Sequence, residues 1–174
     1  MGDDTLWIAA LTGGTAILAS WVTSIGTTRA ARIQAHGAAE AQRAERLRAG
    51  RREAYLELIE QTHQLGELLW EISAVSRNET GHRRTAALEA LVPRERETYA
   101  RLRRSARVVD LEGPAEAAAA AQAVRNATRP FHRALLAMIE GEEGAEGRFD
   151  AAYRPYWQAL TAFVEAAQNA LRET

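Results

Sequence analysis

The sequence predicts an all-α protein: an N-terminal single transmembrane helix followed by an antiparallel up-down four-helix bundle. Three observations carry this reading. A stretch of 24 residues between Asp4 and Arg29 holds no charge. Four later segments repeat apolar residues at three- and four-residue spacing, the signature of a helix with one buried face. No segment alternates apolar and polar residues over the length of a strand.

The charge-free stretch comes first. At about 1.5 Å per residue, residues 5–26 would extend about 33 Å as a helix, enough to cross a hydrocarbon layer of about 30 Å. A cleavable secretory signal would need a positive start, whereas this chain begins Met-Gly-Asp-Asp. Beyond the stretch, Arg29, Arg32, Arg43, Arg46, Arg48, Arg51 and Arg52 face only Glu40 and Glu45. Positive charge on the C-terminal side predicts a plasma (inner) membrane protein with its N-terminus outside and the rest of the chain in the cytoplasm. Trp7 and Trp21 stand near the two ends of the span, where indoles favour the headgroup layer. Thr, Ser and Gly dilute its apolar character, and the competing reading is a buried helix of a soluble oligomer. The small residues Thr12, Gly13, Ala16, Ser20 and Ser24 form a stripe along which two spans could approach closely, so self-association in the membrane is expected.

The predicted organisation is therefore an anchor over residues 1–28, a basic juxtamembrane helix or neck over 29–52, and a cytoplasmic four-helix bundle over 53–174. Gly37 and Gly50 weaken the neck by about 1 kcal/mol each relative to alanine, which leaves room for a break there. Its seven arginines are the expected contacts with anionic lipid headgroups.

Within the bundle, Tyr55, Leu58, Ile59, Thr62, Leu65, Leu69 and Ile72 paint one helical face ending near Val75. A turn over residues 76–81 leads to a second helix carrying Leu88, Leu91, Val92, Tyr99, Leu102, Ala106 and Val109, which Pro93 kinks or divides. Gly113 and Pro114 are read as C-terminal glycine and first-position proline. The third helix runs from the alanines at 117–121 to Ile139, bent at Pro130. After an acidic loop over 141–147, Phe149, Tyr153, Tyr156, Leu160, Phe163, Ala167 and Leu171 give the fourth. Four such helices with short connections fit an up-down bundle.

Composition excludes several functions. The chain has no cysteine, which removes disulfides, thiol catalysis and thiolate metal sites. All 22 basic residues are arginine, which beside abundant alanine points to a GC-rich coding sequence. The order of these features, a charge-free span ending Gly-Thr-Thr-Arg29-Ala-Ala-Arg32, an Arg-rich run into Arg51-Arg52-Glu53-Ala54-Tyr55, and Val108-Val109-Asp110-Leu111-Glu112-Gly113-Pro114 before an alanine-rich helix, resembles small membrane-anchored helical proteins of actinobacteria. The resemblance implies topology and fold, and brings no activity or functional residue with it.

Catalytic and cofactor chemistry find little footing. Glu60 and His63 have the Glu-x-x-His spacing of di-iron bundles, but the second match, Glu79 with His82, falls in a turn; no metal and no cofactor is expected. The serines lack a nucleophile elbow, the histidines are scattered, and no glycine-rich loop follows a strand. No enzyme activity and no small-molecule substrate is predicted. Arg94, Arg96, Arg101, Arg103, Arg104 and Arg107 are the candidate partner surface. Positions 96, 103 and 107 share one helical arc and 94, 101 and 104 another. Without a broader basic excess the cluster does not predict nucleic-acid binding. The expected role is a membrane-tethered interaction or scaffold protein whose partners are membrane lipid and a protein or a second copy. The alternative is an accessory or regulatory subunit of a larger transport, envelope or phage-related membrane assembly, held through the span.

Overall fold

The computed structural model describes the backbone of residues 3–172 and the side chains of residues 34 and 37–172. Every regular element in it is helical: α1 (Asp3–Asn78), α2 (Gly81–Glu112), α3 (Ala115–Ala127), α4 (Arg129–Glu140), α5 (Ala145–Ala151) and α6 (Tyr153–Arg172). The all-α expectation holds. The chain divides into two units, Met1–Arg46 and Leu47–Thr174. Among the described residues no helix is long and apolar enough to cross a membrane. The expected anchor over 1–28 and its stripe Thr12, Gly13, Ala16, Ser20 and Ser24, with Arg29 and Arg32, lie outside the described side chains. The helix α1 passes without a break through Gly37 and Gly50.

The core lies in the second unit, and its cross-links show how the helices run. Along α1 and α6, Tyr55 meets Phe163 edge-on at 5.9 Å, Thr62 offers its carbonyl to the Tyr156 hydroxyl, and Trp70 lies 5.4 Å from Tyr153. Ser73 then donates to Asp150 at 3.2 Å. Rising numbers on one helix meet falling numbers on the other, so the two are antiparallel. The same holds for α1 and α2 (Arg51 to the Glu112 carbonyl, 2.8 Å; Arg94 to Glu71, 2.7 Å). It holds again for α2 against α3 and α4 (Gln122 to Asp110, 3.1 Å; His132 to Glu95, 2.9 Å).

The apolar stripes read from the sequence are the buried ones: Leu58, Leu65, Leu69 and Ile72 on α1, Leu88, Leu102 and Val109 on α2, Leu160 and Phe163 on α6. Burying each such side chain contributes about 1.5–3 kcal/mol. Their centre is aromatic, with Phe131 set edge-on to Phe149 and Tyr153 at 5.0 Å each and to Tyr156 at 5.7 Å. Gly66 is what lets α6 approach α1 here, because a Cβ at that position would sit 3.0 Å from the Trp157 ring.

Several expectations are corrected. Pro130 does not bend one helix but separates two. It has no N–H to give, and its ring excludes the Asn126 carbonyl. The helix is interrupted at Thr128, whose backbone stays in the right-handed helical region and whose hydroxyl donates to the Arg125 carbonyl at 2.7 Å, and α4 follows directly. The acidic loop is shorter than read, since Ala145, Glu146 and Gly147 already belong to α5. Gly113 follows α2 as expected, but with φ −88° it needs no left-handed freedom, and Pro114 caps α3 from outside the helix. What Gly113 provides is space: a Cβ there would meet the Val109 carbonyl oxygen at 2.8 Å. Pro93 neither divides nor ends α2, which is helical on both sides of it. Both Pro93 and Glu89 are exposed, so the Glu89 carbonyl that loses its helical donor lies on the solvent face.

Candidate functional site

Arginine is placed in three different ways. In the basic row after the span, Arg43, Arg46 and Arg52 are exposed and Arg48 is half-buried. Arg51 is not a free lipid contact, because its Nε donates to the Glu112 carbonyl and ties α1 to the end of α2. On α2 the two arcs read from the sequence part company. Arg94 bonds Glu71 across to α1 at 2.7 Å, which raises its already high pKa, chiefly through that hydrogen bond. Arg101 bonds Glu97 at 3.0 Å on its own helix and also reaches the Thr98 hydroxyl. These two belong to a salt-bridged groove between α1 and α2. By contrast Arg96, Arg103, Arg104 and Arg107 are exposed and have no ion pair among the described residues.

Beside these free cations lies unexpected apolar surface. Among the described residues the exposed large apolar side chains are Leu47, Leu56, Trp70, Val108 and Leu111, the last 86% exposed. Arg51 with Glu112 and Glu71 with Arg94 set the register of α1 on α2, and that register puts Leu56 level with Val108. Leu47 is one turn before Arg51, and Leu111 adjoins Glu112. Four of the five therefore gather at one end of the α1–α2 pair. Arg104, Val108 and Leu111 follow at four- and three-residue spacing on one face of α2. Leu47 and Leu56, nine residues apart on α1, point to opposite sides of it, so the apolar surface that shares a face with arginine is the pair Val108 and Leu111 beside Arg104, which marks a contact surface.

A second feature opens where α2 faces α4. The chain reverses after α2 and runs back along it, and a cleft of about 550 Å³ forms between the middle of α2 and the first two turns of α4. Glu95, Arg96 and Tyr99 line it from α2; Arg129, His132 and Arg133 line it from α4. Glu95 is only 4% exposed, and its carboxylate is bonded to Nδ1 of His132 at 2.9 Å. That bond fixes the imidazole ring and leaves Nε2 as its other nitrogen. Of these residues, spacing in the sequence singles out only Arg96. One further signal is present there: Glu95 falls on the buried face with Leu88, Leu91 and Leu102, where a charge is costly unless partnered.

The histidine with di-iron spacing is elsewhere. His63 is exposed and packs its ring 5.6 Å from Trp157, and Glu60 is occupied by Gln64 at 2.8 Å. Among the described residues no group of three His, Asp or Glu could hold a metal ion. Ser73 bonds Asp150 and Ser76 bonds Glu146 across α1 and α5, with Arg84 on Glu146 at 2.6 Å, and these pairs act as fasteners between helices.

The fold and these surfaces define a class, an all-helical bundle with an arginine-rimmed apolar end and a polar cleft. No protein-family model, curated protein or solved structure matches the chain.

Proposed function

We propose that this chain is a membrane-tethered interaction protein. Residues 1–28 anchor it in the plasma membrane, the basic segment 29–52 lies on the cytoplasmic side, and the helical bundle, closed within one chain, recruits a protein partner or a second copy. The observation that carries the reading is the exposed pair Val108 and Leu111 on one face of α2 with Arg104, beside Arg103 and Arg107, three arginines with no ion pair among the described residues. Such a surface suits an apolar partner face with an acidic rim, because the apolar area supplies affinity and the arginines supply orientation and encounter rate. Support for the anchor comes from the charge-free span and the arginines that follow it.

The stripe Thr12, Gly13, Ala16, Ser20 and Ser24 favours a second reading, in which the span itself seats the protein in a larger membrane assembly. Mass determination of the full-length, membrane-extracted protein separates the two. Under the first reading a defined complex is lost in V108E/L111E and kept in A16L/S20L. Under the second the pattern reverses. A monodisperse monomer for the unaltered chain would contradict both.

A further inference from the structure

We propose that the cleft between α2 and α4 is a binding site for a small organic phosphate monoester. Its volume, about 550 Å³, falls in the range of ligand sites, and it is built by side chains from two antiparallel helices, α2 and α4. Arg96, Arg129 and Arg133 reach it without an ion-pair partner among the described residues, while the one carboxylate in its lining, Glu95, is bonded to His132. Three arginines against one carboxylate give the lining an excess of at least two positive charges, which suits a dianion better than a carboxylate or a phosphodiester.

Arginine forks suit phosphate oxygens, and the start of α4 adds backbone dipoles of the same sign. The Tyr99 ring and the arginine stems offer an apolar wall for the ester group. Glu95 contributes by fixing His132, so that the imidazole is held toward the ligand rather than turning freely. A stability role does not explain this arrangement, because a carboxylate buried on the core face of α2 is a weak way to hold two helices together. The site is separate from the apolar end of α1 and α2 and stands whether or not that end docks a partner.

The test uses the full-length protein in detergent, titrated calorimetrically with phenyl phosphate, with phenol as the uncharged analogue. Nanodiscs containing phosphatidylglycerol provide the phosphodiester comparison. Saturable one-to-one binding of phenyl phosphate, weakened about tenfold or more in R129Q, R133Q and R96Q alike, is expected. These residues are exposed and unpaired, so unchanged circular dichroism and melting temperature should accompany the loss. The proposal is overturned by any of three results: no saturable binding at millimolar phenyl phosphate, equal binding of phenol or of the arginine variants, or binding to the phosphatidylglycerol headgroup alone.

Discussion

Replacing Glu95 with methionine should make the protein more stable. Glu95 is 4% exposed, sits on the core face of α2, and has one partner, Nδ1 of His132 at 2.9 Å. Burying a carboxylate costs several kcal/mol, and a single hydrogen-bonded partner recovers only part of that. Replacing both members of a buried ion pair by apolar residues of similar volume gains about 1–4 kcal/mol; E95M removes only the buried carboxylate and leaves His132 to water. The lower part of that range applies here, because the His132 side chain is 37% exposed and water reaches one side of the pair. We expect E95M to gain about 1–2 kcal/mol, which for a domain of this size raises the melting temperature by about 3–8 °C. H132A, which strands the carboxylate, should lose about 1–2 kcal/mol. Unfolding followed by far-UV circular dichroism reads both. If E95M lost more than about 1 kcal/mol, the carboxylate would be a structural necessity, and the case for a cleft maintained at a cost in stability would fail.

Other outcomes follow from the packing and from the tyrosines. G113A should lose about 1–3 kcal/mol, since its Cβ would lie 2.8 Å from the Val109 carbonyl oxygen, which already accepts the Gly113 N–H. G147A, inside α5 with nothing within 4 Å of the added Cβ, should gain about 0.5–1 kcal/mol in the same unfolding assay. Burial pushes the phenol of Tyr153 up to about 12 and those of Tyr55 and Tyr156 upward as well. The folded state then holds protons that the unfolded state releases above about pH 10, so stability is unaffected by these groups below that pH and falls as pH rises from about 10 to 12. Phenolate absorbance at Tyr153 should therefore appear late and together with loss of helix; early ionisation in a folded chain would refute it. Because the chain has no cysteine, single cysteines report topology cleanly. G2C should react with an impermeant maleimide from outside intact cells, and H63C only after permeabilisation.

Much of the fold was legible because helices announce themselves locally. The buried faces of α1, α2 and α6 are the stripes of Leu58, Leu65 and Leu69, of Leu88 and Leu102, and of Tyr156, Leu160 and Phe163. Proline was harder. The consequence of Pro93 and Pro130 depends on whether the freed carbonyl faces water and whether a side chain such as that of Thr128 can bond back where the helix is interrupted, and both are tertiary facts. The site was legible only in part. Spacing separated the α2 arginines into two arcs, but it could not show that Glu71 and Glu97 pair with Arg94 and Arg101 while Arg103, Arg104 and Arg107 have no ion pair among the described residues. Nor could it pair Glu95 with His132, which are 37 positions apart and meet because the chain reverses at Gly113 and Pro114 and runs back along α2.

Site-specific photo-crosslinking in the native membrane addresses the interaction surface most directly. A photoreactive residue at position 108 or 111 should give one discrete adduct, to a partner or to a second copy, while the same residue at the exposed position 162 on α6 gives none. Equal labelling at 162 and 111, or adducts at neither, would contradict the assignment of the apolar, arginine-rimmed end as the docking surface.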